Sequence, residues 1–332
     1  MIAPHEALQA TETAAPAVVG PGREPQSPTL GHFAEYVALR TVAAGLGLIG
    51  IRNAGAVGAR LVGLAHSPLG IRRHVVERQV ESSLPGRDRA EVARITRESY
   101  AHLGRTFTET ALLASRSRAD ILGLVDRVDG WDAVESCLAG GRAAIFVSGH
   151  LGNWELAGAY IAARGIRFAA VARHMANPLF DRYLTQTRER IGMHIIHDEA
   201  AVRQVPRSLR SGESVGFLFD QGALGLASTW VPFFGRLAKT PRGPAVFALR
   251  LGAPVLFAAA IRLPSGRYRM VFEPVEATIT GDRDSDVDRI VAASTETLER
   301  WVRQVPEQYF WHHRRWKHQR PGTPPELGDP LR

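Results

Sequence analysis

Apolar residues follow two patterns along the chain, helical spacing and short continuous apolar runs. Residues 88–113 carry apolar side chains at helical spacing after a break at Pro85 and Gly86. The run AAIFV at 143–147 is typical of a strand buried on both faces. Further helices are predicted at 131–138, 155–164, 179–191 and 286–305, with another between 196 and 215, and further strands at 167–172, 193–196, 215–219, 255–261 and 268–272. This alternation predicts an α/β fold, a mixed and mostly parallel sheet flanked by helices, with a helical N-terminal part.

Local signals place two connections within this pattern. Thr240 and Pro241 predict the N-cap and first turn of a helix that ends at Gly252. The tripeptide at 264–266, Pro-Ser-Gly, predicts a hairpin between the last two strands. Residues 1–29 are rich in Pro, Ala, Thr and Gly without an apolar period, which predicts a disordered tail.

Residues 30–66 form a candidate membrane-interface segment. Its apolar-leaning part at 36–51 is interrupted by Arg40 and several glycines, and falls short of the ~20 apolar residues that a spanning helix needs. The N-terminus also lacks the pattern of a secretory signal. Two interpretations remain open: an interfacial segment with Arg40, Arg52 and Arg60 toward headgroups, or a buried helix.

The charge balance restricts the class of partner. The chain has 332 residues, with 41 Lys and Arg against 33 Asp and Glu, so its net charge is +8. Anionic partners are therefore expected: nucleic acid, lipid headgroups or an acidic carrier protein. No helix-turn-helix, RNA-recognition block or zinc module is evident, which argues against nucleic acid. The single cysteine, Cys137, excludes an intramolecular disulfide and a Cys-based zinc site.

The candidate chemistry lies in SGHLGNWE at 148–155, where a buried strand gives way to a helix. Ligands collect at the carboxyl ends of strands in α/β sheets. Two residues five apart on one helix lie ~140° around it, so cooperation between His150 and Glu155 requires His150 to lie in the preceding turn. Asn153 is then the predicted N-cap. A carboxylate from Glu155 on one imidazole nitrogen would leave the other free as a base.

This pattern points to a reaction whose nucleophile comes from a substrate. No G-x-S-x-G elbow is present, so the base would deprotonate a substrate hydroxyl as it attacks an activated acyl group. H-E-x-x-H is absent, which makes a zinc site a poor interpretation, and we expect no metal and no cofactor. The alternative is a structural histidine beside a helix cap.

Five blocks in order, covering about residues 70–320, resemble the late acyltransferases of bacterial lipid A biosynthesis. SGHLGNWE is similar to the His-x4-Asp/Glu block of glycerolipid-type acyltransferases. The other blocks are RHMANPL at 173–179, FDQ at 219–221, VPFFG at 231–235 and PEQYFWHHRRWK at 306–317. The resemblance implies a glycerolipid-acyltransferase-like domain over 67–320, followed by a C-terminal tail at 321–332.

The resemblance also implies roles for residues. His150 and Glu155 would be catalytic, and substrates would be bound by Arg173, Asn177, Asp220, Gln221, Arg314 and Arg315. Arg173 would contact an anionic headgroup or the donor's phosphopantetheine. Arg173, or backbone amides of 150–153, would stabilise the oxyanion. The aromatic residues of VPFFG would line an acyl groove or fill the core, and the Trp and basic residues of the last block would bind phosphate or lie at the membrane interface.

The implied reaction moves a fatty acyl chain from acyl carrier protein or acyl-CoA to a hydroxyl of an anionic, lipid A-type glycolipid. It would occur at the cytoplasmic face of the inner membrane, with the protein peripheral or weakly anchored to the membrane surface. Another glycolipid acceptor, such as a phosphatidylinositol mannoside, stays open. In another class, the alternative is a non-enzymatic basic protein that binds membranes or nucleic acid.

Overall fold

The computed structural model describes residues 27–113, 115–222 and 227–331. The predicted tail at 1–29 lies outside these residues except for 27–29, which precede the first helix. Thr29 caps that helix by accepting the backbone N–H of His32.

The N-terminal part is helical, as predicted. Its helices are α1 (Leu30–Gly47), α2 (Ile51–His66), α3 (Arg73–Ser83), α4 (Arg89–Leu113) and α5 (Arg118–Gly123). Gly50, at φ +78°, separates α1 from α2. Helix α2 packs closely on α4, because a Cβ added at Gly104 would lie 2.2 Å from the carbonyl oxygen of Gly58.

A seven-stranded sheet forms the centre of the rest of the chain. Its strands are β1 (Val125–Asp129), β2 (Ile145–Ser148), β3 (Phe168–Ala172), β4 (Met193–His197), β5 (Ser214–Leu218), β8 (Val255–Arg262) and β9 (Tyr268–Pro274). The order is β1-β9-β8-β2-β5-β3-β4, and only the pair β8 and β9 is antiparallel. The predicted mixed, mostly parallel sheet is therefore confirmed.

Helices and a small hairpin surround this sheet. The helices are α6 (Trp131–Leu138), α7 (Trp154–Ala163), α8 (Pro178–Arg190), α9 (Ala201–Arg210), α10 (Gly243–Leu251) and α11 (Arg283–Gln304), and the hairpin joins β6 (Ser228–Phe233) to β7 (Arg236–Pro241). The sequence pattern did not predict β1, β6 or β7. Thr240 and Pro241 end β7 rather than cap a helix, because α10 begins at Gly243 after an Arg242 cap.

Two aromatic segments close the core on one side of the sheet. Phe233 and Phe234 are buried, so the aromatic residues of the VPFFG block fill the core. Trp311 and Trp316 are also fully buried, and the Trp316 ring lies 5.8 Å from that of Phe233. The expectation that these tryptophans lie at a membrane interface is therefore wrong.

Helix α1 exposes its apolar residues. Ala43 is its only buried residue, whereas Leu30 is 89% exposed and Phe33 and Val37 are at least half exposed. The buried-helix interpretation is therefore wrong for α1. None of the helices within the described residues is both long and apolar enough to cross a bilayer.

Two of the three arginines expected to face headgroups are engaged by the protein instead. The Arg40 guanidinium lies 4.6 Å from the centre of the Tyr183 ring, and Arg52 donates to the carbonyl oxygen of Ser265 at 2.7 Å. Arg60 is exposed.

Candidate active site

His150 lies in the turn between β2 and α7, as the sequence predicts. Asn153 is the N-cap of α7, since its side-chain oxygen accepts the backbone N–H of Leu156 at 3.0 Å. Gly152 has φ +61°, and a Cβ there would lie 2.0 Å from the carbonyl oxygen of Ala260. This turn therefore requires glycine at 152 both for its conformation and for its close approach to β8.

The carboxylate that holds His150 belongs to Asp220, which follows β5. Its Oδ1 lies 2.7 Å from the imidazole Nδ1 of His150, and its Oδ2 accepts the backbone N–H of the same residue at 2.9 Å. Strands β2 and β5 are parallel neighbours, and Ser148 pairs with Leu218, so the residues after each strand meet. The His150 side chain is 18% exposed and that of Asp220 3% exposed, so the carboxylate lies beneath a more accessible ring.

Asp220 is held in its ionised form. Burial alone would raise its pKa, but attraction to His150, the two hydrogen bonds from that residue and the Arg315 charge lower the pKa to about 2. The Tyr309 hydroxyl also donates to this carboxylate, and burial together with the Asp220 charge raises the pKa of Tyr309 well above its ordinary value. An ionised Asp220 therefore accepts the Nδ1 proton of His150 and leaves Nε2 as the basic nitrogen.

Gln221 faces that second nitrogen. Its side-chain amide nitrogen lies 3.3 Å from His150 Nε2. The sequence blocks suggested Gln221 as a substrate-binding residue; it lies beside His150, and the substrate-binding role stays a prediction.

Two aromatic rings flank the imidazole. The Trp154 ring lies 5.0 Å from that of His150, and the Phe310 ring lies 5.8 Å from it on the segment after α11. The backbone N–H of Phe310 donates to the carbonyl oxygen of His150 at 3.0 Å, which ties the C-terminal segment to the turn. Trp154 and Phe310 therefore pack beside the imidazole, and the Gln221 amide lies within hydrogen-bond distance of its Nε2.

Backbone N–H groups of the turn are mostly engaged. Those of His150, Gly152 and Asn153 donate to Asp220, to the Gln308 carbonyl oxygen and to the Ala260 carbonyl oxygen respectively. The expectation that backbone amides of 150–153 form an oxyanion site is therefore wrong for these three groups.

A buried polar network supports the turn from below. The Glu109 carboxylate in α4 accepts two hydrogen bonds of 2.7 Å from the Arg262 guanidinium and one of 2.9 Å from the Asn153 amide. The Tyr268 hydroxyl also donates to it. His102 contacts the carbonyl oxygen of Gly152 at 3.0 Å. Helix α4 thus fixes the cap residue of α7 through groups that the sequence blocks did not indicate.

The family described as bacterial lipid A biosynthesis acyltransferase matches residues 26–318. The chain belongs to this family. As a member of this acyltransferase family it is an enzyme, and the match extends from the start of α1 to the end of the PEQYFWHHRRWK block.

Curated relatives agree with this assignment. The lipid A biosynthesis palmitoleoyltransferase of Escherichia coli (strain K12) is 25% identical over 79% of this chain and 84% of its own length. The lipid A biosynthesis lauroyltransferase of the same strain is 26% identical, over 76% and 81%. A phosphatidylinositol mannoside acyltransferase of Mycobacterium tuberculosis (strain ATCC 25618 / H37Rv) is 29% identical, over 48% and 51%.

The glutamate of the acyltransferase His-x4-Glu block does not contact the histidine here. Both Glu155 oxygens accept hydrogen bonds from the Arg188 guanidinium in α8, at 2.7 and 3.0 Å. The predicted pairing of Glu155 with His150 is therefore wrong. The reason is that Glu155 lies on α7, in the first turn, and the helix directs it toward α8 while Trp154 faces the imidazole.

Other residues implied by the acyltransferase resemblance have structural partners. Arg173 is 58% exposed and pairs with Asp198 at 3.0 Å. Asn177 caps α8, and its amide donates to the His32 carbonyl oxygen and to Glu35 in α1. Both positions are thus occupied by protein contacts, and the substrate-binding roles remain predictions.

The two arginines of the last acyltransferase block differ in their surroundings. Arg314 pairs with Asp329 and is partly exposed. Arg315 is buried and donates to the Lys239 carbonyl oxygen at 2.7 Å and to the Thr240 hydroxyl at 2.6 Å. The Arg315 guanidinium lies inside the protein, where its charge helps to lower the pKa of Asp220. This position does not support the predicted direct contact with a substrate phosphate.

Two buried histidines near the turn should make the stability of this acyltransferase depend on pH. Burial, then the Arg262 charge, lowers the pKa of His102 to about 3, and burial, then Arg72, lowers the pKa of His312 to about 4. In the unfolded chain both take up a proton below about pH 6.5. The free energy of unfolding should therefore fall from pH 6.5 to pH 5, by up to about 2 kcal/mol for each histidine.

Urea unfolding of the wild type at pH 7 and pH 5 measures this loss. Asp220 does not contribute in this window, because its carboxylate is ionised in both states above about pH 4. His312→Phe, which fills the same aromatic site, should reduce the difference between the two pH values. A His312→Phe protein that loses as much stability as the wild type between pH 7 and pH 5 would contradict the assignment of a neutral buried His312 ring.

Proposed function

We propose that this acyltransferase moves a fatty acyl chain from a thioester, on acyl carrier protein or coenzyme A, to a hydroxyl of an anionic, lipid A-type glycolipid. The observation that carries the proposal is the His150–Asp220 pair, which leaves the basic Nε2 accessible at the carboxyl edge of the sheet. The names of the relatives support the acyl group and the glycolipid class of acceptor.

The chemistry requires no protein nucleophile. His150 Nε2 accepts the proton of the acceptor hydroxyl as that oxygen forms a bond to the thioester carbonyl carbon. Asp220 stabilises the imidazolium that results. When the C–S bond breaks, the departing sulfur takes the proton from His150, so the products are an ester and a thiol and the imidazole is regenerated.

Gln221 is the group placed to assist at the reacting centre. Its amide nitrogen lies 3.3 Å from Nε2, so an incoming hydroxyl must displace it from the imidazole. Once displaced, the amide N–H can donate to the carbonyl oxygen as negative charge develops there. A single donor of this kind contributes about 3–4 kcal/mol in a well-studied oxyanion site.

A membrane surface supplies the acceptor in this proposal. Among the described residues, ten of the sixteen large apolar side chains that are exposed lie between residues 30 and 71. This apolar surface reaches Ile71, whose carbonyl oxygen is bonded by Tyr100, and the Tyr100 ring contacts His312 beside Phe310. We propose that α1 and α2 lie in the cytoplasmic face of the inner membrane, with the acceptor's headgroup reaching His150 from there.

The experiment that tests the activity compares lipids by mass spectrometry. Cells that contain the wild-type protein should show a glycolipid heavier by one fatty acyl chain, and cells without the protein should lack it. The acceptor in that species distinguishes a lipid A-type glycolipid from a phosphatidylinositol mannoside. Identical lipids in both cells, together with no ester product from the purified enzyme and acyl thioester, would reject the proposal.

Membrane attachment through α1 gives a separate prediction. Leu30, Phe33 and Val37 share one exposed face at helical spacing, and changing all three to Ser removes about 3 kcal/mol of apolar insertion. We therefore expect the affinity for vesicles of phosphatidylethanolamine and phosphatidylglycerol, measured by co-sedimentation, to fall about 100-fold.

A matched control uses exposed apolar residues outside residues 30–71. Val202, Ile279 and Leu327 are 42–59% exposed, and changing these three to Ser should leave vesicle binding unchanged. Equal loss in both triple variants, or no loss in the first, would argue against α1 as the attachment element.

A further inference from the structure

A second group of polar side chains lies at the same edge of the sheet, two and three strands away from His150. His174 follows β3, His197 ends β4 and Asp181 lies in the first turn of α8. Strands β3 and β4 are parallel, and Ala172 pairs with His197, so their carboxyl ends coincide. The two imidazoles and the carboxylate each offer an atom within 4.8 Å of the others.

The surrounding contacts orient two of these groups. Asp181 Oδ1 accepts the backbone N–H of Met175 at 2.9 Å, while its Oδ2 lies 2.7 Å from His174 Nδ1. The other nitrogen of His174, Nε2, lies 3.3 Å from a Glu199 oxygen. A carboxylate behind a histidine and a backbone donor behind a carboxylate are the supports that metal ligands usually have.

His197 has an unsatisfied nitrogen. Its Nδ1 is buried, and it has no hydrogen-bond partner within the described part of the chain. Its ring is stacked on that of His174, with centroids 3.7 Å apart and planes inclined by 13°. A buried polar atom without a partner destabilises the folded protein, and a bound cation would supply that partner.

The local charge also favours a cation. Asp181, Asp198 and Glu199 supply three carboxylates, and one of them, Asp198, is paired with Arg173. The carboxylates of Asp181 and Glu199 therefore lie beside the two imidazoles and supply negative charge for a cation.

We propose that His174, His197 and Asp181 bind a divalent transition metal ion of the Zn²⁺ type, at a site separate from the acyl-transfer centre. Two imidazoles and one carboxylate are a common donor set for such ions. Zn–N and Zn–O bonds of ~2.0–2.2 Å place ligand atoms roughly 3.3 Å apart. In the structure His174 Nδ1 and the Asp181 carboxylate are 2.7 Å apart, and all three candidate ligand atoms lie within 4.8 Å of one another. The His197 ring must turn from its stacked position, and rotation about its Cβ–Cγ bond is soft.

Such an ion would be structural. It would join β4 to the loop of residues 173–177, which carries Asn177 and through it the base of α1. The inference does not depend on acyl transfer, and its test uses metal binding alone.

The experiment titrates Zn²⁺ into the full-length, chelator-treated protein by calorimetry. We expect one saturable site in the wild type and a loss of more than about 100-fold in affinity for His197→Ala, since removal of even a supporting partner of a ligand weakens metal binding about 10–100-fold. His194→Ala is the matched control, because His194 lies on the same strand, is exposed and faces Glu213 instead. It should retain wild-type affinity.

Co²⁺ binding to the wild-type protein provides a second measurement. It does not depend on whether a variant folds. Co²⁺ bound by this ligand set should produce visible absorption bands. Adding Zn²⁺ should displace the Co²⁺ ion and abolish these bands. The absence of a saturable site and of these bands would overturn the proposal. Zn²⁺ affinity in a folded His197→Ala protein equal to that of the wild type would overturn it as well.

Discussion

His150→Ala should lower the rate of acyl transfer by about 10²–10⁴-fold, the usual contribution of a positioned general base. The variant should fold normally, because the ring is partly accessible and the contacts that hold the turn come from the backbone and from Asn153. Ester formation from acyl thioester and acceptor lipid, compared with thermal unfolding of the same preparation, separates the two effects.

Asp220→Asn should produce a loss of the same order. The Asn amide would hydrogen-bond the wrong tautomer of His150 and could not stabilise the imidazolium. Asn is nearly the same size as Asp, but the substitution removes a buried negative charge near Arg315, so the melting temperature should fall as well, and activity is measured at a temperature where the variant is folded. A fully active Asp220→Asn protein would contradict the assignment of Asp220 as the partner of His150.

Glu155 provides the contrast, since it pairs with Arg188 in a mostly buried contact. Glu155→Gln should lower the melting temperature and the activity together, because a buried charge loses its partner. Replacing both residues by Leu should restore much of the stability, and activity should return with it. Restored stability without activity would show that Glu155 or Arg188 has a role in the reaction beyond their mutual ion pair.

Most of the fold could be predicted from the sequence, because long helical periods and apolar runs report local structure directly. The strand over 145–148 and the helix over 283–304 follow from such patterns. Strand β1, with the sequence VDRVD, could not be predicted, since it lies at the edge of the sheet and three of its five residues are charged. The hairpin of β6 and β7 could not be predicted either, because Pro232 and Pro241 lie within its strands and proline is rare inside strands.

The site could be predicted only in part. The sequence places both His150 and Asp220 after apolar strands, but it does not say which strands are neighbours. Spacing favoured Glu155, five residues away, whereas the sheet order brings Asp220 to His150 across 70 residues of chain. The assignment of Asp220 therefore required the topology.

Glu109 is the residue whose loss should most affect the stability of the site. Its carboxylate is buried and forms a bidentate pair with Arg262, and it also accepts from Asn153 and Tyr268. In Glu109→Gln one carboxylate oxygen becomes an NH₂ group, which cannot accept from the Arg262 guanidinium, and only the remaining carbonyl oxygen can. The buried Arg262 charge is then left without a counterion.

The free energy of unfolding of Glu109→Gln should therefore fall by about 3–5 kcal/mol, the range observed when one partner of a buried ion pair is removed. Tyr268→Phe removes one neutral donor from the same carboxylate and should lower the free energy by only about 1 kcal/mol. Urea unfolding of both variants at neutral pH measures the difference. If Glu109→Gln were no less stable than Tyr268→Phe, the Arg262 charge would have to reach water, and the network would not be the rigid base on which the His150 turn is built.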